Sequence, residues 1–172
     1  MNTKAIIQYS IVALGVIVGL VAGVRWLWPA ASEEPLSPPQ ALSAVLSGPA
    51  PTVEKVRAAQ QILRHGEAAR SEARAAIAAY SQHEPAVMAP LLQATAKNKD
   101  YRSMPTLLEL LDHPEPLVRG RAGAAIQKIM GADYGFRANA PPEERAPLVA
   151  AIRTDYQMAL PRLQEVYSAQ TP

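Results

Sequence analysis

Residues 5–24 carry no charge. This run, Ala5 to Val24, constrains the chain more than any other feature. A helix rises about 1.5 Å per residue, so a run of this length spans roughly 30 Å, the thickness of a bilayer's hydrocarbon core. Arg25, Trp26 and Trp28 follow, residue types that suit the headgroup level, and Pro29 ends the helix. A cleaved signal peptide would have an apolar region of about 7–15 residues and an Ala-x-Ala-like site. Here the run is longer and is followed by WPAAS. The sequence therefore predicts an uncleaved transmembrane signal anchor over residues 1–28. Lys4 precedes the span and Arg25 follows it, so the charge bias is slight. A very short N-terminal tail fits the usual signal-anchor arrangement, which places the body outside the cytoplasmic membrane.

Gly15, Gly19 and Gly23 recur at every fourth position within this run. Residues four apart share a helix face. In water each glycine costs a helix roughly 1 kcal/mol against alanine. In lipid, helices associate through close backbone approach, which small residues permit. The stripe predicts a helix–helix contact, either with a second copy or with another subunit.

Residues 29–51 contain PAASEEPLSPP and SGPAP and read as a proline-rich linker. A short helix is expected within it, with Ser37 as N-cap and Pro38 at N1. Residues 52–172 read as consecutive amphipathic helices. Thr52 is the expected cap of a helix stopped by Gly66, with Val53, Val56, Ala59 and Leu63 on one face. The next segment, EAARSEARAAIAAYSQ, carries Ala68, Ala75, Ile77 and Ala79 among its small apolar positions. Pro85 starts another helix, which runs to KNKD. Ser103 is placed to cap MPTLLELLDH. Pro116 opens a helix that Gly131 stops, and a loop then leads to a long last helix that Pro161 should kink or split. Aromatic residues make up 5% of the 172 residues and alanine is abundant. Such a chain folds as helices packed at close range.

The stretch from Leu107 to Gly131, LLELLDHPEPLVRGRAGAAIQKIMG, resembles a HEAT repeat. Asp112, Val118, Arg119, Ala122, Ala125, Ile126, Ile129 and Gly131 occupy the pattern's places. The resemblance implies a short stack of antiparallel helical hairpins. In it the small residues permit close approach, Asp112 serves amides of the turn, and Arg119 reaches a neighbouring turn's carboxylate or carbonyls. Val53 to Gly66 repeats the spacing of Val118 to Gly131, with Glu54 where Arg119 falls. The middle hairpin, residues 67–98, matches in apolar period alone. The YGF loop and long last helix resemble the endings of bacterial HEAT-type proteins, so Tyr134 and Phe136 are expected to cover the end of the core. The predicted fold class is all-α: one N-terminal transmembrane helix, then the HEAT-like stack with a capping loop and helix.

The formal net charge is +2. Two of the 17 Lys and Arg, Lys4 and Arg25, flank the apolar run, and the other 15 meet 15 Asp and Glu in the remainder. A balanced body argues against a nucleic-acid surface and against attachment to lipid by bulk charge. Without cysteine there is no disulfide or thiol chemistry. His65, His83 and His113 are scattered at helix ends, where the dipole favours them. No phosphate-cradling glycine loop or nucleophile elbow is present. Glu143 and Glu144 read as dipole compensation, and Glu109, Asp112 and Glu115 as a solvated acidic turn. Lys97, Lys99, Tyr101 and Arg102 form a small basic loop, and Arg121 faces away from the repeat's structural positions. These five are the candidate partner contacts.

The sequence thus predicts a non-catalytic, membrane-anchored interaction module of the bacterial inner membrane, with its body in the periplasm. No cofactor, metal or small-molecule substrate is expected. The favoured role is an accessory subunit that stabilises a larger membrane complex through the glycine face and the helical body. The alternatives are a free-standing adaptor for a soluble partner and a small solenoid enzyme.

Overall fold

The computed structural model describes residues 35–168. The expected span at residues 5–24, with Gly15, Gly19, Gly23, Arg25, Trp26 and Trp28, lies outside them. No helix among the described residues is long and apolar enough to cross a membrane. The described residues are helical without a strand: α1 Pro39–Ser47, α2 Thr52–His65, α3 Arg70–Ala78, α4 Pro85–Lys97, α5 Met104–Leu110, α6 Pro116–Met130 and α7 Pro142–Ser168. Short 3-10 turns precede α3, follow it, and precede α5. The compact unit opens at Leu36.

Proline starts much of this structure. Pro39, Pro85 and Pro116 stand at or next to the first helical position, where φ is already suited and the missing N–H has no partner to lose. Glycine ends two helices. Gly66 and Gly131 have φ of 61° and 71°, backbone angles that side chains with a Cβ rarely adopt.

Helices pair in sequence order, α1 with α2, α3 with α4 and α5 with α6. The second helices of the pairs lie in a row, with α4 packed between α2 and α6. That position explains the composition of α4. Val87, Met88, Leu91, Leu92, Ala94 and Thr95 are buried on it, because a helix with neighbours on several sides needs apolar residues nearly all round. On α6, Ala122 and Ala125 are fully buried beside Ile126, so its inner face is short enough for a close approach.

Several expectations change here. Residues 39–47 belong to the body and not to a linker: Leu42 and Leu46 are buried in the common core. The helix starts one residue later than expected, at Pro39. Ser37 is no side-chain cap; its amide donates to Gln61 Oε1 at 2.8 Å and its carbonyl accepts from His65 Nε2 at 2.8 Å. Thr52 likewise caps nothing, since Pro51 is the N-cap, and its hydroxyl donates to Glu84 Oε1 at 2.7 Å. Ser103 stands at the N-cap of α5 without a side-chain cap bond.

Val53 is 73% exposed. The buried stripe of α2 is Ala58, Ala59 and Ile62, set by where α1 and α4 meet it. Ile62 is nine residues beyond Val53, and at about 100° per residue that is the opposite side of the helix. The match between Val53 and Val118 therefore ends at spacing, because Val118 is 1% exposed. After Gly66 the 3-10 turn shifts the helical phase, so Ala69, Ala73, Ala76 and Ile77 turn inward while Ala68 and Ala75 face out. The last helix is not split at Pro161. Leu160 and Leu163 pack against the core on either side of that proline and hold α7 continuous.

His83 lies between α3 and α4, with Nδ1 buried and unpaired. Its pKa is lowered, first by burial and then by the charge of Lys55, against an opposing hydrogen bond to the Ala76 backbone. A depressed pKa means the folded state binds fewer protons than the unfolded chain, so stability falls as pH falls through the ordinary histidine range. His83→Gln should flatten that decline. The drop in Tm between roughly pH 7 and pH 5 should be smaller in the variant; an unchanged drop would locate the acid sensitivity elsewhere.

Candidate partner-binding groove

The loop after α4 alternates. Asn98 and Asp100 are buried, while Lys97 and Lys99 are exposed. Each inward residue has an anchor. Asn98 Nδ2 donates to the Gly66 carbonyl at 2.9 Å. Asp100 accepts a two-pronged pair from Arg74, Nε to Oδ2 and Nη2 to Oδ1, both at 2.8 Å, and a third bond from Ser103 Oγ at 2.8 Å. A bidentate pair of this kind fixes orientation as well as position. Lys99 holds φ at 46°, an uncommon angle for a residue with a side chain, and the two anchors on either side of it maintain that angle. The loop thus presents Lys97 and Lys99 from a braced backbone.

Across from it, α6 presents Arg121, Ala124 and Lys128. Their spacing of three and four residues puts them on one face. Together with Leu92, Gln93 and Ala96 of α4 and the two lysines, they line a groove of ≈ 400 Å³. Four of its lining residues are cationic and none is a carboxylate. Arg121 and Ala124 also border a shallower depression of ≈ 450 Å³ with Leu117, Gly120 and Asn139. Leu117 is 50% exposed there.

Of the expected contacts, Lys97, Lys99 and Arg121 come together at this groove. Tyr101 does not: it is 6% exposed and part of the core. Arg102 is exposed but is not among the groove's lining residues; its Nε donates to the Tyr101 hydroxyl at 3.3 Å. Lys128 joins them without having been expected, although its place seven residues after Arg121 on one helix is the signal that points to it.

The repeat-pattern residues lie at the far end of the stack. Arg119 is 9% exposed. Its Nη1 donates to the carbonyls of His113 and Pro114, both at 2.7 Å, and its Nε to the carbonyl of Ala138 at 2.8 Å. Asp112 accepts no hydrogen bond from an amide of its own turn; its side-chain partner is Arg145. The Asp112 side chain is 59% exposed and stands 3.6 Å from Arg145 Nη1. Arg145, from the first turn of α7, is 7% exposed and donates to the carbonyls of Leu111 at 2.7 Å and Ala140 at 3.1 Å. Two buried arginines thus tie the α5–α6 turn to the loop that follows α6. Val118, Ala122, Ala125 and Ile126 are buried, and Gly131 takes the left-handed angle that ends α6.

Tyr134 and Phe136 are half-buried against the core. Phe136 lies over Gly123, where an added Cβ would come within 2.8 Å of its ring. Burial raises the pKa of Tyr134, helped by the charge of Asp155 and a hydrogen bond to it. Val149, Ile152 and Tyr156 of α7 join the core beside them.

Among the described residues no three His, Asp or Glu side chains come together as a metal site. What the groove offers is ammonium and guanidinium donors over an apolar floor. Comparison with protein-family models, curated proteins and solved structures finds no match to this chain.

Proposed function

We propose that this chain is a membrane-anchored protein-interaction module, an accessory subunit that stabilises a larger membrane assembly without catalysing a reaction. The supporting observation is the row of paired helices whose exposed side carries a braced cationic groove. Such rows are assembled from repeated pairs and offer extended surface for binding. The pairing and the Pro116–Met130 helix with its Gly131 cap support a HEAT-type stack. The uncharged run Ala5–Val24 supports a single span in a bacterial inner membrane, with the body on the periplasmic side, and Gly15, Gly19 and Gly23 supply its packing face.

The test is the native mass of the complex after gentle detergent extraction, with its components identified by mass spectrometry. A large assembly of fixed stoichiometry is expected. Gly19→Ile should leave insertion intact and reduce co-extracted subunits several-fold, because a branched side chain holds the helices apart. A monomer or simple dimer overturns the accessory-subunit role, and a variant that keeps all its companions makes the glycine face incidental.

A further inference from the structure

The groove between α4 and α6 has a definite charge pattern, and that pattern selects a ligand. Arg121 and Lys128 lie two helical turns apart on α6, an axial distance of roughly 10 Å at about 1.5 Å per residue. An extended chain advances about 3.3 Å per residue, so the same distance is about three residues of a strand-like ligand. Lys97 stands at the end of α4 along the same groove. The rest of the lining is Leu92, Ala96, Ala124 and the amide of Gln93. The three apolar residues suit a small apolar side chain, and Gln93 adds one amide able to donate and accept.

Resting on the interaction-module reading, we propose that this groove docks an extended acidic segment of a partner protein. Its carboxylates lie about three residues apart, with small apolar residues between them. Charge complementarity carries the choice. The charged lining residues are all cationic while the charges of the body as a whole balance, so the attraction is local to the groove. A lipid surface is held by an excess of clustered basic charge, whereas the charges of this body balance. Nucleic acid would call for a larger excess of positive charge than this body carries. The bracing of residues 98 and 100 by Gly66 and Arg74 keeps Lys97 in place before the ligand arrives, which lowers the ordering cost of binding.

The experiment uses the full chain in detergent micelles and a fluorescein-labelled peptide of repeated Asp-Ala-Ala. The control peptide is the same with asparagine for aspartate. The Asp peptide should bind, the Asn peptide should not, and affinity should fall as salt shortens the range of attraction. The double variant Arg121→Ala, Lys128→Ala should lose about tenfold in affinity, as expected for two partly exposed ion pairs. Both residues are exposed, so an unchanged thermal melt shows that the fold is intact.

Equal binding of the Asn peptide, or full affinity in the double variant, overturns the proposal. So does preferential binding to nanodiscs containing phosphatidylglycerol over phosphatidylcholine nanodiscs that is lost in the double variant, which would assign the groove to lipid. Binding of the Asp peptide only after Glu33→Gln, Glu34→Gln would assign the groove to the chain's own acidic segment. If peptide binding holds while the native complex proves monomeric, the groove stands and the accessory-subunit role fails.

Discussion

Arg119→Ala is expected to cost about 3 kcal/mol of folding stability and to lower Tm by roughly 10 °C. The guanidinium serves three carbonyls, those of His113, Pro114 and Ala138. A hydrogen bond from a charged donor contributes about 1.5–3 kcal/mol, and its removal leaves buried acceptors without partners. Part of the loss is offset because the variant no longer buries a charge. Arg119→Lys should recover little, since one ammonium at the end of a flexible stem cannot span acceptors on two separate segments. Arg119→Met should fall between alanine and the native chain, because it keeps the packing of the stem. Urea unfolding followed by circular dichroism measures all three. A cost below about 1 kcal/mol for alanine would mean that water reaches the freed carbonyls and replaces the arginine at little penalty. Arg145 shares the turn and the loop, so its alanine variant should combine non-additively with that of Arg119.

Leu46→Ala is the second large effect, with an expected loss of about 2–4 kcal/mol. Leu46 is 2% exposed and Leu42 is 4% exposed. Both sit in the common core beneath α2 and α3, which α1 contacts. Truncation removes apolar burial and leaves a void that close-packed neighbours fill only in part. Leu36→Ala is the control: that residue is 38% exposed and should change stability by less than about 0.5 kcal/mol. If the two variants melt alike, α1 is held loosely and residues 29–51 behave as the tether their composition suggests.

These two sites mark where sequence reasoning works in this chain and where it stops. Helix α6 was legible from end to end, because Pro116 and Gly131 act through backbone chemistry within a residue or two. Helix α4 was legible for the same reason at Pro85. The role of α1 was hidden. Prolines flank it on both sides, and only two of its residues are buried, too few for a periodic signal to rise above the linker composition. The facing of α2 and α3 was also hidden. Val53 is apolar but lies where no helix meets it, and the 3-10 turn after Gly66 shifts every later position in α3.

The cationic groove was half legible. Lys97, Lys99 and Arg121 carry charge into it, but Tyr101 looked like part of an exposed basic loop and is core. Arg145 left no signal at all. An arginine in the first turn of a helix reads as a solvated charge, and its acceptor at Leu111 is 34 residues away.

The acceptors of the two buried arginines are main-chain oxygens, at Leu111, His113, Pro114, Ala138 and Ala140. Every amino acid supplies that oxygen. Apart from Asp112, whose carboxylate pairs with Arg145, the side chains at these positions take no part in the arginine bonds, and Asn139 between two acceptors is exposed. Sequence drift at exposed positions such as Asn139 costs little so long as the backbone path is kept, whereas drift at either arginine or at the buried Leu111 is costly. The end of the stack combines a fixed frame with a rewritable surface, which makes it a natural place to graft new residues without redesigning the fold.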